Sequence, residues 1–193
     1  LRVAATVPAD YGTLVTMHDE IFEAWSVYKA DTGAIDAFTA RRGAAWGRIF
    51  GDHVMLTWRP IPRARFGEIP LTLPSSVPIV MMGVGDDGVT FDGVLSQQVQ
   101  GVVVASMAAG GVPPTASEKL VALAKIGLPI VLCSSATSGR TAEEYYYPKA
   151  YDALRAAGIA IEDWLSPRKA RIRLMLSIGL QKTYLPFGKE FLL

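Results

Sequence analysis

The sequence predicts an α/β protein whose C-terminal part is a parallel four-stranded sheet flanked by helices, preceded by a region of short strands that includes a hairpin. Three observations predict it. Two runs that are apolar on both faces, Gly101 to Met107 and Ile130 to Cys133, are joined by one amphipathic helix pattern, which calls for a parallel sheet covered on both sides. From Val77 onward strand-like and helix-like stretches alternate, whereas before Arg59 short strand-like pieces alternate with turn residues. Between these two rhythms, Arg59 to Ser76 holds Pro60, Pro62, Pro70 and Pro74 with little periodicity, and Pro78 follows. The organisation expected is residues 1–59, a proline-rich linker over 60–76, and an α/β domain over 77–193.

Taken in order, Leu1 to Ala9 suits the tail of a helix and Thr13 to Met17 a short strand, broken by His18, Asp19 and Glu20. Ile21 to Phe38 mixes periods around the turn residues Asp31, Thr32 and Gly33, and is expected to form a strand, a loop and a short helix. Arg48 to Phe50 and His53 to Trp58 flank Gly51 and Asp52, a glycine-first two-residue turn, so this piece is a hairpin. Val77 to Met82 is the first strand of the C-terminal sheet; the loop GVGDDG and a helix from about Val89 to Val99 follow. After the strand ending at Met107 comes the small-residue loop Ala108 to Gly111. Pro113 and Pro114 keep the chain extended, and Thr115 with Glu118 three residues later forms a capping box at the helix start. Gly127 and Pro129 stop that helix, and the strand to Cys133 begins at once. A polar loop, Ser134 to Thr141, leads through three tyrosines to a helix from Pro148 to Ala157, stopped by Gly158. Ile159 to Ile161 is the fourth strand, and Ser166 with Pro167 opens a last helix that runs to about Ile178.

Composition narrows the function classes. Half of the 193 residues are hydrophobic, enough for a core, and 19 basic against 18 acidic side chains leave no basic block for a nucleic-acid partner. No apolar stretch approaches the roughly 20 residues of a bilayer span, so no membrane partner is expected. The single cysteine, Cys133, excludes an internal disulfide and reads as a core thiol. His18 and His53 lack the neighbours of a metal site. The start at Leu1, without a basic-then-apolar leader, suggests a cut, and the compartment stays open between cytoplasm and periplasm.

In parallel sheets ligands bind beyond the carboxyl ends of the strands, so the loops after Met107 and Cys133 are the places to look for function. The first, MAAGGVPP, has neither the lysine of a phosphate loop nor dinucleotide spacing; it suits a small uncharged ligand or a neighbouring chain, or merely a tight turn. In GVGDDG, Asp86 and Asp87 would repel a phosphate and suit the helix dipole instead. Ser134, Ser135, Thr137 and Ser138 offer hydroxyls without the frame of a nucleophile elbow. Lys29 lies in a mostly uncharged stretch, where burial would fit it to act as a base, although most such lysines are surface residues.

Four ordered segments together resemble the bacterial-type L-asparaginase and glutaminase family across essentially the whole chain. The family's N-D-E-I-x-x-A-x-x-V-T-K-T-x-T-x-x-x-D-A-F is matched by His18 to Phe38, HDEIFEAWSVYKADTGAIDAF, and its G-I-V-x-x-G-x-G-x-G-N-V-P by Gly101 to Pro113. Its P-V-V-x-x-S-x-x-x-x-G-R is matched by Pro129 to Arg140, and its L-x-P-x-K-A-R-I-x-L-M-L-A-L by Leu165 to Ile178. The resemblance implies an amidohydrolase that releases ammonia from asparagine, often also from glutamine, with no metal or organic cofactor and a tetramer built from close dimers. It makes residues 1–59 the end of a larger α/β N-terminal domain and 77–193 the whole C-terminal domain. A threonine nucleophile, and a second threonine paired with an aspartate and a lysine, carry that chemistry. Of these only the lysine has a counterpart, Lys29; the T-G-G-T and T-D-T motifs precede the matched region and are not in these residues. Thr-Lys-Thr is here Tyr28, Lys29, Ala30, and the Gly-Asn of the loop that reaches a neighbour's site is Gly110, Gly111. The expectation is a portion of an asparaginase-like enzyme, inactive alone and completed by an N-terminal fragment or by self-association. The alternative is a non-catalytic α/β module for assembly or small-molecule binding.

Overall fold

The computed structural model describes residues 1–60, 66–141 and 151–188. The chain divides into two compact units, Leu1–Arg63 and Ala64–Leu193.

The first unit begins with helix α1 (Arg2–Thr6) and a short 3-10 turn, Ala9–Tyr11. Its strands are β1 (Leu14–Met17), β2 (Glu20–Glu23), β3 (Val27–Lys29), β4 (Phe38–Ala40), β5 (Gly47–Phe50) and β6 (His53–Leu56). An antiparallel sheet runs in the order β1-β2-β5-β6, and β3 pairs with β4 in a two-stranded sheet. His18 and Asp19 do more than break a strand. Both take left-handed backbone, φ 48° and 59°, between the paired residues Met17 and Glu20, and so form the tight turn of a hairpin. The turn at Gly51 and Asp52 joins Phe50 to its partner His53, as the sequence predicts.

The short helix expected before Phe38 does not form. The Asp31 carboxylate accepts the amides of Gly33 at 2.7 Å and Ala34 at 2.8 Å, and the Ala30 amide bonds Ala37 O at 2.7 Å. The bonds from Ala30 N and Asp31 N to Ala37 O bring the chain back on itself, so Lys29 pairs with Phe38 across a hairpin, and the Asp31 carboxylate stitches its turn through the Gly33 and Ala34 amides. The Asp31 carboxyl is held below its usual range by these two amides, Gly33 first.

The second unit contains β7 (Ile79–Met81), α2 (Val89–Ser96), β8 (Val102–Ser106), α3 (Pro114–Lys125), β9 (Ile130–Ser134), α4 (Tyr151–Ala156), β10 (Ala160–Glu162) and α5 (Pro167–Gly179). The sheet order is β10-β9-β8-β7, and every pairing is parallel, with Val103 opposite Val131 and Ile79 opposite Val103. This is the four-stranded parallel sheet flanked by helices that the two apolar runs predict. All five residues of β8 and all five of β9 are buried. Val102, Val104, Ile130 and Leu132 pack with Phe91, Leu120, Leu123 and Leu154 of the helices, while α5 lies against β7, β8 and β9. Each such aliphatic side chain taken from water contributes roughly 1.5–3 kcal/mol, which is why these runs lack polar alternation.

The capping box is overturned. α3 starts at Pro114, one residue before Thr115, with Pro113 as its N-cap and no side-chain cap. Proline at the first helical position has φ preset and no amide to satisfy, and Ser117 N already bonds Pro113 O at 2.9 Å, so Thr115 sits inside the helix. At the other end Gly127 (φ 89°) donates to Ala124 O and Leu128 to Leu123 O, a Schellman stop. α2 ends at Ser96, sooner than the expected Val99. Tyr145, Tyr146, Tyr147 and the expected helix start at Pro148 lie outside the described residues.

Behind the sheet edge, Glu162 is wholly buried with its charge shared among four donors. Trp164 N and Leu165 N donate to Oε1 at 2.9 and 3.2 Å, and Tyr184 OH and Phe187 N to Oε2 at 2.5 and 2.8 Å. One carboxylate thus ties the segment after α5 to the strand end.

Candidate functional site at the strand carboxyl ends

The loops after β8 and β9 meet in the second unit. Residues 107–111 close on themselves: Met107 N donates to Gly111 O, and Gly110 N and Gly111 N both donate to Met107 O at 2.8 and 2.7 Å. Ala108, with φ 42°, turns its carbonyl out of this bridge. Ser134 Oγ, at the end of β9, donates to Ala108 O at 2.5 Å, and Tyr151 OH, on α4, donates to Ala109 O. Ser134 is itself held, since its amide donates to Thr141 Oγ1 at 3.2 Å and its Oγ accepts Ala136 N at 3.0 Å. Thr141 N in turn donates to Asp163 Oδ1 at 2.7 Å, and Arg140 Nε pairs with Asp163 Oδ2 at 2.9 Å. A chain of bonds therefore runs from the end of β10 through the end of β9 to the turn after β8.

The two glycines are not equivalent. Gly110 has φ 120°, open only to glycine in practice, and a Cβ there would overlap the Tyr151 hydroxyl and stand 2.6 Å from Tyr151 Cζ and 3.1 Å from Thr141 Cγ2. At Gly111 the nearest atoms to an added Cβ are Met107 O at 3.6 Å and Met107 Cβ at 3.9 Å, which is ordinary contact. Gly110 and Gly111 thus share one turn, while Lys29 belongs to the other unit, exposed at the end of β3.

The other sequence candidates settle as follows. Asp86 and Asp87 spend an oxygen each on the amides of Gly88 at 2.8 Å and Val89 at 2.9 Å, at the start of α2. Ser135, Thr137 and Ser138 are exposed, and so are His18 and His53. Among the described residues no cluster of three His, Cys, Asp or Glu suits a metal, and no helix is long and apolar enough to cross a membrane. Cys133 is buried in β9. A cavity of about 470 Å³ opens at the amino end of β9, lined by Pro129, Ile130, Gly158 and Tyr184 among others. Volume and loop chemistry thus point to opposite ends of the sheet. The carboxyl ends are preferred, because helix starts and loop amides converge there in parallel sheets. Tyr151, Thr141 and Asp163 escaped the sequence reading, since they reach the turn and each other across 42 and 22 residues.

A family model described as "Asparaginase, N-terminal" matches residues 1–62, and one described as "Glutaminase/Asparaginase C-terminal domain" matches residues 76–185. Among curated proteins, the chain is 33% identical over 176 residues to a "Probable L-asparaginase" of Deinococcus radiodurans, covering 89% of this chain and 52% of that protein. It is 26% identical over 172 residues to an "L-asparaginase" of Bacillus licheniformis, again covering 89% and 52%. Among solved structures, a probable cytoplasmic L-asparaginase from Campylobacter jejuni aligns with a TM-score of 0.73 at 26% identity, over 90% of this chain and 52% of that one. The chain spans about half the length of the curated relatives it matches.

Proposed function

This chain belongs to the glutaminase/asparaginase family, and from that premise we propose that it supplies part of an asparaginase-like amidohydrolase. The reaction is L-asparagine plus water giving L-aspartate and ammonia, with L-glutamine as a second substrate. The observation that carries the reading is the match of both family models, in order, along one chain. In the proposed chemistry a threonine hydroxyl adds to the side-chain amide, ammonia leaves, and water hydrolyses the resulting ester to release the acid. The threonine motifs T-G-G-T and T-D-T are not among these 193 residues, so the activity is that of a polypeptide or complex that also carries them.

Lys29 is proposed as the base partner of the second threonine. A lysine serves as a base near neutral pH only as the neutral amine, which is populated when burial or a like charge destabilises its ammonium. Lys29 is exposed here, so in a polypeptide or complex that carries the T-D-T motif that segment must cover it, desolvation favouring its neutral amine while the aspartate orients it. The turn bearing Gly110 and Gly111 is proposed to face substrate or a neighbouring subunit. Apolar side chains left in solvent, among them Ile35, Trp58, Met81 and Val84, support assembly into the family's tetramer. The second reading, a non-catalytic assembly or binding module, is favoured by Tyr28 and Ala30 flanking the lysine and by glycine at 111.

Ammonia release from asparagine tests both readings. This chain alone should release none. A polypeptide joining it to a segment with both threonine motifs should turn over, and its Lys29→Met variant should stay folded and lose turnover. Wild-type rates in that variant would remove Lys29 from the chemistry, and an inactive joined polypeptide that folds and assembles would favour the binding module.

A further inference from the structure

We propose that Tyr151 and Ser134 are positioning residues for the 107–111 turn, two hydroxyls that pin the consecutive carbonyls of Ala109 and Ala108 from different elements. The consequence is a turn with Gly110 walled in and Gly111 free to carry contacts. This rests on the reading of the turn as the loop that faces substrate or a neighbouring subunit.

Three observations converge on it. The turn has an internal closure, and glycine takes the φ of Gly110 freely, but the left-handed backbone of Ala108 needs outside support, because such a conformation at a residue with a Cβ persists only where surrounding bonds over-determine it. The supports are built structure. Tyr151 is nine-tenths buried with its ring under Gly110, and Ser134 is buried at the end of β9 with its own amide and hydroxyl both engaged. Ser134 is further tied through Thr141 to the Asp163 carboxylate, so the ends of β9 and β10 and the start of α4 all fix one turn. A loop of small residues that offers a ligand mainly its backbone keeps its shape only where other residues hold it. These two hydroxyls hold it.

The experiment compares the wild-type chain with Tyr151→Phe and Ser134→Ala. Tyr151→Phe keeps the ring and deletes only the donor. Exchange of the Gly110 and Gly111 amides should quicken about fivefold, the equivalent of one neutral hydrogen bond, while the β8 and β9 amides stay unchanged. In the joined polypeptide with both threonine motifs, KM for asparagine should rise about three- to tenfold with kcat within about twofold, since binding geometry is lost and the reacting groups are not. Unchanged exchange at Gly110 and Gly111, or acceleration spread equally over β8 and β9, would overturn the proposal, as would a fall in kcat at constant KM. If the joined polypeptide releases no ammonia in any form, the function reading fails, and the exchange measurement still decides the positioning role.

Discussion

Replacing Gly110 by alanine should destabilise the C-terminal unit by about 2–4 kcal/mol, whereas Gly111→Ala should stay within about 1 kcal/mol of wild type. The first figure has two parts. A Cβ on backbone at φ 120° costs roughly 1–3 kcal/mol. Displacing the Tyr151 hydroxyl from Ala109 O forfeits a bond worth about 1 kcal/mol net. Gly111 has no such φ, and its added methyl meets nothing closer than 3.6 Å. There, loss of unfolded-state freedom even favours alanine by about 0.4–1 kcal/mol. Urea unfolding followed by circular dichroism gives the difference, and exchange of the β8 and β9 amides assigns it to this unit. The cycle closes with Tyr151→Phe, which should return part of the Gly110→Ala cost but not all, because Cζ still stands 2.6 Å from the new carbon. The reasoning is refuted if Gly110→Ala costs under about 0.5 kcal/mol, or if the two glycine variants cost the same.

Leu123→Ala, at a site 2% exposed in the main core, should cost about 2–5 kcal/mol through a cavity, and a loss under about 0.5 kcal/mol in urea would remove α3 from the core. Glu162→Gln should cost roughly 2–4 kcal/mol, because an amide turns its own donors toward amides and a phenol that need an acceptor; an unchanged denaturation midpoint would refute this. Burial first, then the charge of Glu162, pushes the Tyr184 phenol well above its ordinary 10.0. Its contribution is therefore complete below about pH 10 and lost as pH rises toward the folded value, so wild type should lose more midpoint than Tyr184→Phe between about pH 9 and 11. Light scattering at micromolar concentration should find an oligomer, since Trp58, Ile35 and Met81 are 61%, 78% and 72% exposed; a well-behaved monomer would refute it.

The parts of the fold legible in the sequence are those whose cause is local. The stop at Gly127 and Pro129 and the turn at Gly51 and Asp52 each rest on one or two residues with a single conformational use. The parts that misled involve local signals in competition. Thr115 and Glu118 have capping-box spacing, but Pro114 asks for the first helical position more strongly than threonine asks for the cap. The stretch before Phe38 mixes periods, and Asp31 bonding the amides of Gly33 and Ala34 suits a turn as well as a helix start. What decides is the pairing of Ala30 N with Ala37 O, far enough along the chain to be invisible in the local pattern. His18 and Asp19 hide a turn because, although His and Asp enter left-handed backbone more readily than most residues, neither demands it as glycine does, and the pairing of Met17 with Glu20 decides it.

The site divides along the same line. Lys29 in the first unit, and Gly110 and Gly111 in the second, are candidates proposed through motif likeness, because a motif keeps its residues adjacent. What separates Gly110 from Gly111 is not adjacent at all. It is a tyrosine ring 41 positions onward from Gly110, placed by α4 so that its hydroxyl bonds the carbonyl just before that glycine. Two identical letters side by side therefore carry opposite constraints. A change at the first is a change in the fold of the turn, and a change at the second is a change in what the turn can touch. It follows that Gly111→Asn, which puts an amide at the open position, should fold as wild type does in urea and act on substrate binding alone, lowering KM for asparagine in the joined polypeptide with kcat nearly constant. A denaturation midpoint that drops as far for Gly111→Asn as for Gly110→Ala would show that the open position is not open.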